Sequence, residues 1–123
     1  MAHSPRFVAL VDAARREIQE TDVEAVHAAL ETEEPIVLID TREPEEWSRG
    51  RIPGAIHLSR GVLERDIEGV VPIVDAPIVL YCGGGYRSAL AAQSLGKMGY
   101  TNVASMDGGW RAWTGAGYPT ETA

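Results

Sequence analysis

The sequence has a single cysteine, few basic side chains and no apolar run approaching the ~20 residues of a membrane span. One cysteine cannot form an internal disulfide, which excludes a disulfide-stapled secreted framework. Eleven basic against eighteen acidic side chains give a formal net charge of −7, which argues against nucleic acid or an anionic membrane as a partner. What remains is an acidic chain of 123 residues, 45% hydrophobic, with room for one domain and its core.

The amino-terminal residues also lack the basic region and unbroken apolar stretch of a secretory signal. We therefore expect a cytoplasmic protein, either monomer or homodimer. A serine and a proline start the first predicted helix, over residues 5–16, which is either an appendage or a packing helix. Thr21 followed three residues later by Glu24 fits a capping box, with Thr21 as the cap of a second helix that ends near Glu31.

Two β-rich apolar runs, residues 36–39 and 78–81, are typical of strands buried on both faces of a parallel sheet. Between and after them the pattern predicts short strands and helices in alternation. The further strands are expected at residues 56–58 and 103–106, and the further helices at 43–50, 61–69, 88–98 and 108–113. This alternation predicts a three-layer α/β/α domain with a mostly parallel central sheet.

The chemistry is expected in the loop that follows the second buried strand. Cys82 sits at the carboxyl end of that strand, where ligand sites gather in open α/β sheets. Three glycines let the backbone curl closely, and amides at a helix start form an anion site. Arg87 adds a positive charge, so we expect the thiolate of Cys82 to be favoured. The alternative, a small buried hydrophobe ending a core strand, leaves the glycines and Arg87 unexplained.

This loop, Cys-Gly-Gly-Gly-Tyr-Arg-Ser at residues 82–88, resembles the active-site loop of the rhodanese family. Residues 38–47 resemble the family's Asp-x-Arg-Glu-x-x-Glu-aromatic segment, and residues 50–57 its Gly-His-Ile-Pro-Gly-Ala turn, with Arg51 in place of the usual His. Residues 107–113 resemble the segment before its carboxyl terminus. The resemblance implies a rhodanese domain over residues 18–119, a helical extension over residues 1–17 and a tail over residues 120–123.

The resemblance also implies a thiosulfate sulfurtransferase that carries sulfur as a persulfide on Cys82. A donor such as thiosulfate would supply the sulfur, and cyanide, a thiol or a thioredoxin-like protein would accept it. The residues implied to bind donor and persulfide are Gly83, Gly84, Gly85, Tyr86, Arg87, Ser88 and Arg42. With no second cysteine, the chain must pass its sulfur outward.

Two other functions are weighed against this one. A sulfur-relay module would take sulfur from a dedicated partner and show little thiosulfate activity. A phosphatase related by fold would have five residues between cysteine and arginine, whereas here there are four. Tyr86-Arg87-Ser88 also departs from the Cys-Gly-Ser/Thr-Gly-Val-Thr pattern of mercaptopyruvate sulfurtransferases.

Two residues are expected to support the site, Asp40 and Glu46. Arg42 either attracts the anionic donor or forms an ion pair with Asp40 that orders the loops, and Glu46 would hold neighbouring backbone amides. Ser88 is expected to cap the helix that follows the loop, and its hydroxyl to reach the sulfur. Tyr86 would form the entrance wall.

No pattern predicts a metal or a cofactor. Glu24, His27 and Glu31 share one helix face, but a solvated polar face explains them and no Cys or His spacing supports zinc. The glycine loop lacks the Gly-x4-Gly-Lys-Ser/Thr pattern of a nucleotide site. We expect neither a metal nor a cofactor.

Overall fold

The computed structural model describes residues 3–122, in which helices and strands alternate. The helices are α1 (Pro5–Arg15), α2 (Val23–Glu31), α3 (Pro44–Arg49), α4 (Leu63–Val70), α5 (Tyr86–Lys97) and α6 (Gly109–Gly115). The strands are β1 (Gln19–Thr21), β2 (Val37–Asp40), β3 (Ile56–His57), β4 (Ile78–Tyr81) and β5 (Val103–Met106). No helix among these residues is both long enough and apolar enough to span a membrane.

The five strands form one sheet in the order β1-β5-β4-β2-β3, with parallel pairing throughout. Every residue of β4, the central strand, is buried. Parallel strands covered on both faces read as continuous apolar runs, which is why the sequence indicated β2 and β4 clearly. The predicted α/β fold with a mostly parallel central sheet is confirmed.

Alternate side chains of β4 enter two separate cores. Ile78 and Leu80 pack with Leu63 and Ile67 of α4 and with Leu95 of α5. On the opposite face, the core is formed by Val79, Tyr81, Val23, Val26 and Trp113. Because successive side chains of a strand point to opposite faces, one central strand supports helices on both sides and creates the three layers.

Three local predictions are corrected. Strand β1 was not predicted, because it is an edge strand of mostly exposed polar residues without an apolar pattern. The cap of α2 is Asp22, whose Oδ1 accepts a hydrogen bond of 2.8 Å from the Ala25 amide, since Thr21 belongs to β1. Helix α5 begins at Tyr86, two residues earlier than expected, after Gly85 at φ 94°.

Helix α1 is a packing helix. Its Val11 and Ala14 are fully buried, and the helix lies against α5. Only the stripe facing α5 is covered, since Leu10 stays exposed. Helix α1 therefore belongs to the same packed body as the sheet and reaches the amino-terminal end of α5, where the cysteine loop lies.

Candidate active site

The loop after β4 directs backbone amides at the sulfur of Cys82. Gly85 donates its N–H to Cys82 Sγ over 3.2 Å, and Ser88 donates its own over 3.3 Å. Sγ also lies 3.5 Å from Ser88 Oγ, which hydrogen-bonds Ser105 Oγ over 2.8 Å. Ser88 is thus in the first turn of α5 and is not its cap, which corrects that expectation. Two amides at the amino terminus of a helix, where the helix dipole is positive, are thus directed at this sulfur.

Cys82 is only 1% exposed, yet it lines a cavity. The cavity has a volume of about 240 Å³. It is lined by His3, Phe7, Cys82, Gly84, Tyr86, Arg87 and Arg111. Pockets for drug-sized ligands span roughly 300–1,000 Å³, so this one suits a small molecule next to the sulfur.

Arg87 is held beside the cavity by Glu46. Its two terminal nitrogens donate to the two carboxylate oxygens over 2.8 and 3.2 Å. The hydrogen bond from Arg87 lowers the pKa of Glu46 to about 2, and the Glu43 amide, which donates to Glu46 over 3.0 Å, acts in the same direction. The hydrogen bond from Glu46 in turn raises the pKa of Arg87, against the effect of burial. Glu46 thus fixes a permanent positive charge close to Cys82.

Arg42 lies apart from the Cys82 cavity. Its guanidinium is 3% exposed and donates to Asp40 over 2.8–3.1 Å and to the Gly50 carbonyl over 2.6 Å. Hydrogen bonding to Asp40 raises the pKa of Arg42, although burial opposes it. Of the two readings of Arg42, its contacts match the ion pair that orders the loops and give no support to donor binding.

The sequence did not single out Arg111, which lines the cavity from α6. Its guanidinium lies over the loop so closely that a Cβ built on Gly84 would be 3.3 Å from both terminal nitrogens. Among residues 3–122 it has no ion-pair partner. The topology of the sheet could have indicated Arg111. Residues 107–113 follow β5, and the carboxyl ends of parallel strands lie at one edge of the sheet, the edge at which Cys82 also lies.

Helix α6 also fixes the loop backbone. The amides of Trp110 and Arg111 donate to the carbonyls of Cys82 and Gly83 over 2.8 and 3.0 Å. Gly109 makes this approach possible, because it has φ 56° and a Cβ there would collide with the Cys82 carbonyl oxygen. The loop is thus held in a shape that directs two backbone amides at the sulfur of Cys82. Among residues 3–122, no three His, Cys, Asp or Glu side chains converge as metal ligands.

Comparison with known proteins gives the family. The sequence model of the family described as Rhodanese-like domain matches residues 22–116. Thiosulfate sulfurtransferase GlpE of Pseudomonas entomophila is 38% identical over 73% of this chain and 80% of its own. YrkF of Bacillus subtilis, provisionally named a sulfur carrier protein, is 32% identical over 80% of this chain, which spans only 52% of that relative.

A solved structure is similar over almost the whole chain. RPA3614 of Rhodopseudomonas palustris, described as of unknown function and a possible tyrosine phosphatase, has a TM-score of 0.88 and 34% identity, covering 98% of both chains. The length of the family match, together with the identity to GlpE, makes the assignment direct. This chain belongs to the rhodanese family.

We predict that Gly109→Ala destabilises the protein by about 2–4 kcal/mol, because the new Cβ is strained at positive φ and collides with the Cys82 carbonyl. The matched control is Gly96→Ala in α5, where a Cβ meets open space and should stabilise the helix by about 0.5–1 kcal/mol. Urea unfolding measures both. Equal effects of the two substitutions would contradict the proposed close seating of α6 on the loop.

Glu46→Gln should lower stability at neutral pH by about 1 kcal/mol, the scale of a partly exposed ion pair. Because the pKa of Glu46 is depressed from 4.5 to about 2, its stabilising effect is complete above the ordinary value and is lost as pH falls. The difference between wild type and Glu46→Gln should therefore shrink between about pH 5 and pH 2.

Urea unfolding at a series of pH values measures this difference. The control is Glu45→Gln, an exposed neighbour in α3 that has no ion pair among the described residues. A gap between wild type and Glu46→Gln that stays constant down to about pH 2 would show that the Arg87 contact does not depress this pKa.

Proposed function

We propose that this protein is a sulfurtransferase that moves sulfane sulfur from thiosulfate or a related donor to a thiophilic acceptor through a persulfide on Cys82. The observation that carries the proposal is the pair of amides, from Gly85 and Ser88, that donate to Sγ at the wall of a small cavity. The family membership and the similarity to a relative named thiosulfate sulfurtransferase support it.

In the first step the Cys82 thiolate attacks the outer sulfur of thiosulfate. A new S–S bond forms, and the S–S bond of thiosulfate breaks, with its electron pair leaving on sulfite. The product is the Cys82 persulfide anion. The amides of Gly85 and Ser88 hold the anionic thiolate before attack and after release, and the cavity provides room for the added sulfur.

In the second step an acceptor nucleophile attacks the terminal sulfur. With cyanide, a C–S bond forms, the S–S bond breaks, thiocyanate departs and the thiolate of Cys82 is restored. Arg87 and Arg111 place positive charge along the cavity, which favours anionic donors and acceptors. Arg87 is already paired with Glu46, so Arg111 is the guanidinium with free donors for the incoming anion.

A sulfur-relay module is the second candidate, favoured by the name of YrkF and by the single cysteine of this chain. Such a protein would receive sulfur from a partner persulfide much faster than from thiosulfate. Comparing the two donors at equal concentration separates the candidates. The description of RPA3614 raises phosphatase activity, which hydrolysis of an aryl phosphate would reveal; the four-residue spacing between Cys82 and Arg87 favours sulfur transfer.

Purified protein should form thiocyanate from thiosulfate and cyanide, and Cys82→Ser should reduce the rate to that of the uncatalysed reaction, because the serine hydroxyl cannot form a persulfide. Colorimetric determination of thiocyanate measures both. Equal rates for wild type and Cys82→Ser would exclude the enzymatic function. Sulfur transfer from a partner persulfide, without transfer from thiosulfate, would favour the relay module.

Arg111→Gln should raise the KM for thiosulfate by about 10–100-fold, since a hydrogen bond to a charged group contributes about 1.5–3 kcal/mol. The effect on kcat should be smaller, because the guanidinium holds the donor before and during attack. Arg16→Gln is the matched control: it removes the same charge from an exposed residue that lines a different cavity. The same rise in KM for both variants would indicate a general charge effect and contradict the role of Arg111.

A further inference from the structure

Part of the wall of the Cys82 cavity comes from outside the family-matched segment. The family match begins at residue 22. Two earlier residues also line the cavity: His3, which precedes α1, and Phe7, which belongs to α1. Tyr86 lines it from the first turn of α5. His3 and Phe7 therefore add to the lining of the cavity, and the family-matched segment alone does not supply them.

The three aromatic side chains of this wall pack on one another. The ring centroids of Phe7 and Tyr86 are 5.8 Å apart in a stacked arrangement, and those of His3 and Tyr86 are 4.2 Å apart. His3 meets Phe7 edge-on at 5.3 Å. Such contacts stabilise one another beyond their buried area, so the three rings act as a unit, called here the aromatic wall.

The rest of α1 holds the aromatic wall in place. Val11 and Ala14 are fully buried against the domain. At the end of α1, the Arg15 guanidinium lies 4.9 Å from the centre of the Tyr86 ring and 3.6 Å from the Asp107 carboxylate. Contacts at both ends of α1 therefore keep Phe7 in place above the cavity.

We propose that the aromatic wall selects, by their size, the molecules that reach Cys82. It admits small donors and acceptors, such as thiosulfate, cyanide or a low-molecular-weight thiol, and excludes a thiol carried on the surface of a folded protein. This inference rests on the proposed sulfur transfer and selects, among the expected acceptors, the small ones over thioredoxin-like proteins.

The geometry behind the proposal is the approach of the acceptor. An attacking thiolate must come within about 3–3.5 Å of the terminal sulfur. A protein cysteine brings its own backbone and neighbours with it, and the cavity of about 240 Å³ that the aromatic wall lines has no room for them. The 1% exposure of Cys82 is consistent with such exclusion.

The test compares how fast Cys82 is alkylated by a small reagent, iodoacetamide, and by a bulky one, fluorescein maleimide. Phe7→Ala should raise the maleimide rate by about tenfold, equivalent to about 1.4 kcal/mol, and leave the iodoacetamide rate nearly unchanged. The matched control is Leu10→Ala, which removes an exposed apolar side chain, 56% exposed, from the same helix away from the cavity. Its ratio of rates should equal that of wild type.

An unchanged ratio in folded Phe7→Ala would overturn the proposal. If circular dichroism shows that Phe7→Ala has unfolded, His3→Ala decides, because His3 is exposed and precedes the first turn of α1, so its loss should not unfold the helix. His3→Ala should then shift the ratio in the same direction, and no shift would overturn the proposal.

A second arm measures sulfur transfer from the persulfide to glutathione and to reduced thioredoxin. Wild type should prefer glutathione, and Phe7→Ala should gain transfer to thioredoxin. Rapid transfer from wild type to thioredoxin would contradict size selection. A different outcome is that no variant transfers sulfur to any acceptor, while Phe7→Ala still shows the expected change in the ratio of alkylation rates. This outcome would count against the proposed sulfurtransferase function and would support the aromatic wall as a size filter.

Discussion

The hydrogen bonds from the Gly85 and Ser88 amides to Cys82 Sγ are the interaction on which the site depends. They need a buried strand that delivers the cysteine to the edge of the sheet, and a glycine at φ 94° that turns the chain into α5. They also need α6 seated against the loop, which Gly109 allows. Each of these is a backbone requirement, so the site is specified mainly by glycines and strand ends and less by polar side chains.

Charge is distributed unevenly in this acidic protein. Arg42 forms an ion pair with Asp40, and Arg87 forms one with Glu46. Arg111 alone of the three has no ion-pair partner among residues 3–122, and it lies over the loop at the cavity. The net charge of the protein is −7, yet Arg87 and Arg111, which line the cavity, are both cationic, and this suits the proposed anionic donor.

The central part of this arrangement could be predicted from sequence because it is local. β4, Cys82, the glycines and the following helix are contiguous, and continuous apolar runs mark strands buried on both faces. The contribution of Arg111 could not be predicted from the sequence, because it depends on how α6 packs against a loop about 25 residues earlier in the chain. The role of α1 was left open for the same reason: its apolar stripe was compatible with packing, but it did not show that Phe7 would line the cavity of Cys82.

The central claim is that the amide-bound sulfur of Cys82 carries one additional sulfur atom. Intact-protein mass spectrometry after brief treatment with thiosulfate and removal of excess donor tests it most directly. The account predicts a mass increase of one sulfur atom that maps to the peptide containing Cys82 and is reversed by cyanide. An unmodified protein under conditions in which thiosulfate is consumed would contradict the account, because turnover would then proceed without a persulfide.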